Sequence, residues 1–189
     1  MPGYRVSENK NGTRVVYSSL KKIALDRDEY NICRENKEGV FLVPLIKSRH
    51  KIYYNTDRTI PLDKYIKENI SVYEFYSVIV QILEVSKLVK KKQLSLHKLK
   101  FDLRMVFVKE IPGELIFLYE PLSDNIKTCV DVCTFLKKFV NEIKTEDSNL
   151  IEECRKFQCF VGSAFNYDIF EVENYIIKHY PQIYQEIKH

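Results

Sequence analysis

The chain has 189 residues, 45% of them apolar and 30% charged, with 13 Tyr and 11 Phe but no Trp. That is ordinary for a soluble globular protein and long enough for one compact domain or two small lobes sharing a core. No run approaches the roughly 18 consecutive apolar residues of a membrane span, which excludes a transmembrane helix. The formal net charge of +4 hides an asymmetry: residues 1–110 hold 22 Lys/Arg against 13 Asp/Glu, whereas residues 111–189 hold 8 against 13. Such polarity bears on partners rather than on fold.

Five cysteines are present, Cys33, Cys129, Cys133, Cys154 and Cys159, with no Cys-x-x-Cys among them. The N-terminus, MPGYRVSENKNGT, has no apolar run after a basic start, so a cytoplasmic setting is expected, membrane-proximal if the chain belongs to a longer one. Cys129 and Cys133 stand one helical turn apart, but without a His pair nearby they read as small core residues rather than metal ligands.

In chain order, Tyr4, Val6, Val15, Val16 and Tyr17 flank the turn signal Asn9–Gly12 and predict a hairpin, with Asn11-Gly12 at its turn. Asp26 and Glu29 form a capping-box pattern for a short helix that ends near Asn36. The apolar run Gly39–Ile46 predicts a strand paired with His50–Tyr54, and Pro44 places it at an edge or bulge. Thr59–Leu62 opens a brief helix reaching Asn69, with Pro61 near its first turn. Ser71 and Glu74 are a second capping box, for a long helix to about Lys92. Its apolar stripe is Val72, Phe75, Tyr76, Ile79, Ile82, Leu83 and Val89. The loop QLSLHKLKFDLR leads to a hairpin, Met105–Lys109 and Glu114–Tyr119, turned by Ile111-Pro-Gly113. Asp124 is expected to cap a helix over Ile126–Lys144. Asp147 or Ser148 starts another over Leu150–Val161. Asp168 with Glu171 caps a last helix that Pro181 stops. The pattern is α+β, in two lobes joined near Asn55–Pro61: a strand-rich part over 1–58 and a mostly helical part over 59–189.

This order resembles a protein-kinase fold. The segments YNICRENKEG, IYYNTDRTIPLDKYIKENIS, YEFYSVIVQILEVSKLVKKKQLSLHKLKFDLRMVFV and LIFLYEPL resemble an uncharacterised bacterial domain found N-terminal to forkhead-associated phosphothreonine-binding domains. That domain is similar in turn to the pseudokinase portion of a type VII secretion membrane component. The resemblance implies a two-lobed, degenerate kinase-like fold and a place in bacterial phospho-signalling or secretion. No forkhead-associated domain follows here.

The residues argue against phosphoryl transfer. Phosphoryl transfer needs a glycine loop, a nucleotide-binding Lys, metal-binding Asp and Asn, and a catalytic Asp. Gly3, Gly12, Gly39, Gly113 and Gly162 are too dispersed for a Gly-x-Gly-x-x-Gly. Matching Val106–Val108 to the strand after a kinase catalytic loop puts Lys100 at the catalytic Asp and Met105 at the metal-binding Asn. Glu120-Pro121-Leu122 stands where Asp-Phe-Gly belongs. Asp102 as a displaced base and Glu120 as a lone Mg²⁺ ligand read better as hydrogen-bonded loop residues, and so does His97. No catalytic residue, cofactor or metal is expected.

The candidate binding feature is the basic cluster Lys87, Lys90, Lys91, Lys92, Lys98 and Lys100. It suits an anionic partner, although a helix C-terminus also favours cations for its own dipole. No aromatic residues interleave with it as a base-stacking platform requires, so a protein or membrane surface fits better than nucleic acid. The expected function is a non-catalytic, pseudokinase-like protein-interaction scaffold. The alternatives are an anionic-ligand binder through this cluster, or an unorthodox nucleotide-binding enzyme through Asp102 and Glu120.

Overall fold

Alternation of side chains builds the first sheet. The computed structural model describes residues 3–9, 12–56, 58–109, 113–123, 131–163 and 168–188. Strands β1 (Gly3–Asn9), β2 (Gly12–Ser18), β3 (Pro44–Ser48) and β4 (Lys51–Thr56) form an antiparallel sheet in the order β1-β2-β4-β3. Val15, Tyr17, Ile52 and Tyr54 alternate inward and pack with Leu42, Phe107, Leu118 and Leu122, while Arg5, Arg14 and Lys51 alternate outward. The predicted first hairpin forms, but Gly12 pairs with Asn9 as the first residue of β2 instead of sitting in the turn; Asn11 lies outside the described residues. Strand β3 is shorter than the apolar run that announces it. It starts at Pro44, on the edge where a missing N–H costs no ladder bond, and its register shifts between Ile46 and Ser48.

Helix α1 (Arg27–Glu35) begins at Asp26, whose carboxylate accepts the Glu29 N–H at 3.1 Å. Only half of the expected capping box forms, because the Glu29 carboxylate is used elsewhere. Asn36 ends the helix in a left-handed conformation, φ 40°. Its side-chain amide then brackets Phe41, accepting from Phe41 N at 2.9 Å and donating to Phe41 O at 2.7 Å.

The join at Asn55–Pro61 contains a strand that the sequence pattern missed. β5 (Thr59–Pro61) pairs with β6 (Val106–Lys109), and β6 pairs with β7 (Leu115–Phe117), giving a second antiparallel sheet in the order β5-β6-β7. Pro61 is tolerated because β5 is an edge. Helix α2 (Leu62–Tyr65) follows and is one turn long rather than reaching Asn69.

Helix α3 (Val72–Lys91) forms as its capping box predicts. Ser71 Oγ accepts the Glu74 N–H, and the Glu74 carboxylate accepts the Ser71 N–H at 2.7 Å. Its surroundings differ from expectation. Phe75, Tyr76, Ser77, Val78, Ile79 and Val80 are consecutive and all buried, so the first half of the helix is covered on every side rather than along one stripe. Phe139 stacks on Phe75 with ring centres 5.7 Å apart, and Tyr180 stacks on Tyr76 at 3.9 Å. Gln81 fixes the β6–β7 hairpin to the helix: its amide accepts Leu115 N at 2.7 Å and donates to Gly113 O. Gly113 takes φ +83°, which suits glycine; Ile111 and Pro112 lie outside the described residues.

Four further helices complete the fold: α4 (Val132–Glu142), α5 (Ser148–Ser163), α6 (Ile169–His179) and α7 (Pro181–Lys188). Asp131 caps α4, accepting the Thr134 N–H at 2.8 Å. Its extended backbone keeps it out of the helix; Asp124, Ile126 and Cys129 lie outside the described residues. Asp147 opens α5, and Asp168 caps α6. Pro181 ends α6 as expected but also begins α7, where its missing N–H is an orphan in any case and its fixed φ suits a first helical residue. The architecture is α+β, with small antiparallel sheets and several helices. No helix among the described residues is long and apolar enough to cross a membrane.

Because Phe75 touches the rings of Tyr76, Phe139 and Phe157, Phe75→Ala should cost about 3–5 kcal/mol. Urea unfolding is the measurement: the midpoint should fall while the slope stays constant.

Candidate functional site

The segment after α3 is held by short-range geometry. Leu94 N bonds back to Val89 O at 2.9 Å, and Gln93 takes φ 57° to make the reversal. A single 3₁₀ turn, Leu96–Lys98, then sets the chain alongside the strand that leaves β7. Lys100 N donates to Leu118 O at 2.9 Å, and Glu120 N donates to Lys98 O at 3.0 Å, with Leu99 opposite Tyr119. Leu99 is fully buried. Lys98, the last residue of the 3₁₀ turn, and Lys100 flank this buried leucine.

Each of these lysines meets a carboxylate. Lys98 Nζ is 2.5 Å from Glu29 of α1, and Lys100 forms an ion pair with Glu120. Glu120 is only 1% exposed. The Lys100 ammonium also sits over the Tyr4 ring, 5.6 Å from its centre. Glu29 accepts the Tyr119 hydroxyl at 3.0 Å, and that hydroxyl accepts the Ser95 N–H at 3.0 Å. Tyr54 donates to Tyr119 O at 3.2 Å. Burial, followed by the Glu29 charge, raises the Tyr119 phenol above its ordinary pKa. Burial, with Tyr54 and Glu120 behind it, raises Tyr4 as well. Nearby, burial pushes the Cys33 thiol up to about 12.

The remaining candidates are spread out. Lys87 pairs with Glu84 and Glu173. Lys92 pairs with Glu38 at 2.7 Å, and this hydrogen bond holds the Glu38 carboxyl below its usual range. Lys90 and Lys91 are the members of the predicted cluster left exposed. The six lysines thus do not form one anion-binding face: four are neutralised by carboxylates from α1, α3, α6 and the loops.

Asp102 is occupied by its own turn, accepting Arg104 N at 2.9 Å and two guanidinium contacts at 3.2 and 3.3 Å. Burial opposes its charge, but the Arg104 hydrogen bonds outweigh that and keep its carboxyl below the usual range. His97 is exposed, and Met105 packs against the core beneath the first sheet. Glu120-Pro121-Leu122 is tied to the segment before α1: Asp26 N donates to Pro121 O at 3.1 Å, and Ser123 N to Ala24 O at 3.0 Å. Among the described residues, no group of three or more His, Cys, Asp and Glu is placed to hold a metal ion.

Sequence reasoning missed Glu29, Tyr4, Tyr54 and Tyr119, which supply the surroundings of Lys98 and Lys100. Glu29 carried a capping-box signal that accounted for it locally. The tyrosines looked like general core material, and only the fold brings Tyr4 and Lys100 together. Neither protein-family models nor curated protein sequences give a match to the chain.

Removing one member of a buried pair leaves an uncompensated charge. Lys100→Met should therefore cost about 3–5 kcal/mol, and Lys100→Met with Glu120→Leu should recover most of it. Equilibrium unfolding of both variants decides this; an unchanged single variant would sink the assignment of a buried pair. Asp102 gives a pH test. Its folded pKa is depressed, so its contribution is fully present above the unfolded value of about 3.9 and is lost as pH falls through the folded value. The urea midpoint of Asp102→Asn should lie below that of the parent at pH 7, and the gap should close in acid.

Proposed function

We propose that this chain is a degenerate, two-lobed kinase-like domain acting as a non-catalytic protein-interaction scaffold. The observation that carries the reading is the Lys100–Glu120 pair. In the kinase order of elements, Lys100 stands at the catalytic Asp and Glu120 at the first residue of the metal-binding loop. A cation neutralised by that carboxylate, under the Tyr4 ring, fills the place where a nucleotide phosphate and its metal would be gripped. Phosphoryl transfer depends on free charges preorganised toward the reacting group. Here the charges are spent on each other.

The element order supports the lobe assignment: a four-stranded sheet with α1 over residues 1–58, then α3, a loop and a hairpin among helices over 59–189. The links from Asp26 to Pro121 and from Glu29 to Lys98 join the two parts. The proposed partner is a protein of a bacterial phospho-signalling or secretion pathway, as the sequence resemblance implies. The alternative through Lys87–Lys100 loses support because Lys87, Lys92, Lys98 and Lys100 are already paired. The alternative of unorthodox nucleotide chemistry loses support because Asp102 and Glu120 are engaged.

Thermal unfolding with ATP and Mg²⁺ or Mn²⁺ tests the reading. A ligand at about a thousand times its Kd would add about 4 kcal/mol, a shift of several degrees. No dose-dependent shift is expected; a saturable rise would overturn the scaffold proposal in favour of nucleotide binding.

A further inference from the structure

Two loops meet at one end of the first sheet. The segment leaving β2, Ser19–Ile23, curls against the β3–β4 turn, Ser48–Lys51. Ser19 N donates to His50 O at 2.9 Å, and Ile23 N donates to Arg49 O at 2.8 Å. The His50 ring nitrogen Nδ1 lies 3.1 Å from Lys21 O, where it donates. Each turn is braced by a serine: Ser19 Oγ accepts Lys21 N, and Ser48 Oγ accepts His50 N, both at 3.2 Å. The corner is therefore built, not merely adjacent in sequence.

Its chemistry is one-sided. Lys21, Lys22, Arg49 and Lys51 are all exposed, and none forms an ion pair among the described residues. Neither segment contains a carboxylate. At the apex stands Leu20, 79% exposed. Leu45 and Ile46 are exposed on the adjoining edge strand β3. Solvated lysines alone would call for nothing more than water. A projecting leucine beside exposed cations that have no ion pair among the described residues matches a different medium, one that offers anionic headgroups outside and hydrocarbon just beneath.

We propose that this corner docks on an anionic membrane surface, with Leu20 entering the headgroup–acyl boundary and Lys21, Lys22, Arg49 and Lys51 contacting lipid phosphates and carboxylates. An acidic protein or a nucleic acid would use the cations but gives Leu20 no apolar destination, and among the described residues neither segment carries an exposed ring row for base stacking. The surface uses none of the Lys87–Lys100 lysines and stands whether or not the scaffold reading holds.

Cosedimentation of the whole chain with phosphatidylcholine vesicles, with and without phosphatidylserine, tests it. Each Lys or Arg near an anionic leaflet strengthens binding about fivefold. The parent should sediment with the phosphatidylserine vesicles at about 0.1 M salt and be released at about 0.5 M. Lys21→Glu with Lys22→Glu should weaken binding by at least about twentyfold, and Leu20→Ser by about fivefold through lost apolar burial. Lys90→Glu with Lys91→Glu should leave it unchanged. All these positions are exposed, so circular dichroism melts should match the parent's. Absence of vesicle binding, binding indifferent to phosphatidylserine, or capture by heparin or single-stranded RNA without vesicle binding would each overturn the proposal. So would full retention in the Lys21/Lys22 variant.

Discussion

Two largely enclosed lysine–carboxylate pairs, Lys98–Glu29 and Lys100–Glu120, of which only Glu120 is fully buried, are the constraint on which the rest of the arrangement depends. Taking a charge out of water is costly unless a partner and further hydrogen bonds compensate it. That compensation is local and directional here. The backbone bonds between Lys98–Lys100 and Leu118–Glu120 fix where both lysines leave the chain. α1 must then come close enough for Glu29 to reach Lys98, and the first sheet must present Tyr4 to Lys100. Such pairs add little net stability over an apolar filling of the same volume, but they tolerate few alternative placements of the elements that carry them. A shift of α1 by one turn would strand both Glu29 and Lys98.

This explains what could and could not be read from the sequence. Elements whose causes are local were legible: α3 with its Ser71–Glu74 capping box, α1 after Asp26 and the β1–β2 hairpin, whereas the apolar run Gly39–Ile46 announced a strand that the fold confines to Pro44–Ser48. Elements whose causes are distant were not. Thr59–Pro61 is too short and carries a proline, so only the partner strand Val106–Lys109 makes it a strand. Pro181 gives one local signal with two meanings, the end of one helix and the first residue of the next. Asp131 and Asp124 are both competent caps by type, and the chain uses the nearer one for Val132.

The candidate site shows the same division more sharply. Lys98 and Lys100 were conspicuous as cations, but a charge in a sequence has no partner attached to it. Glu29 lies 69 residues away from Lys98, and its capping signal concealed its other use. Six lysines near one helix end therefore looked like a patch, when four of them are internal fittings. Conversely, Leu20, Lys21 and Lys22 drew no attention because three residues after a strand are too few to form a pattern. Their significance arises when Arg49, His50 and Lys51 are folded against them.

Fixed and available charge thus separate in space. Around Lys98 and Lys100 the positive charge is met by Glu29 and Glu120, close to the core, where the field of each ion ends on its partner. At the Leu20 corner the positive charge is exposed and meets no carboxylate among the described residues, so its field extends about a Debye length, roughly 8 Å at physiological ionic strength. A surface that acts on a partner needs field beyond its own atoms, and a core that holds two elements in register needs none. The pairs at Lys98 and Lys100 therefore belong to architecture. Residues placed to attract something outside the protein stand at the opposite extreme of burial, among them those where the sheet ends and Leu20 projects.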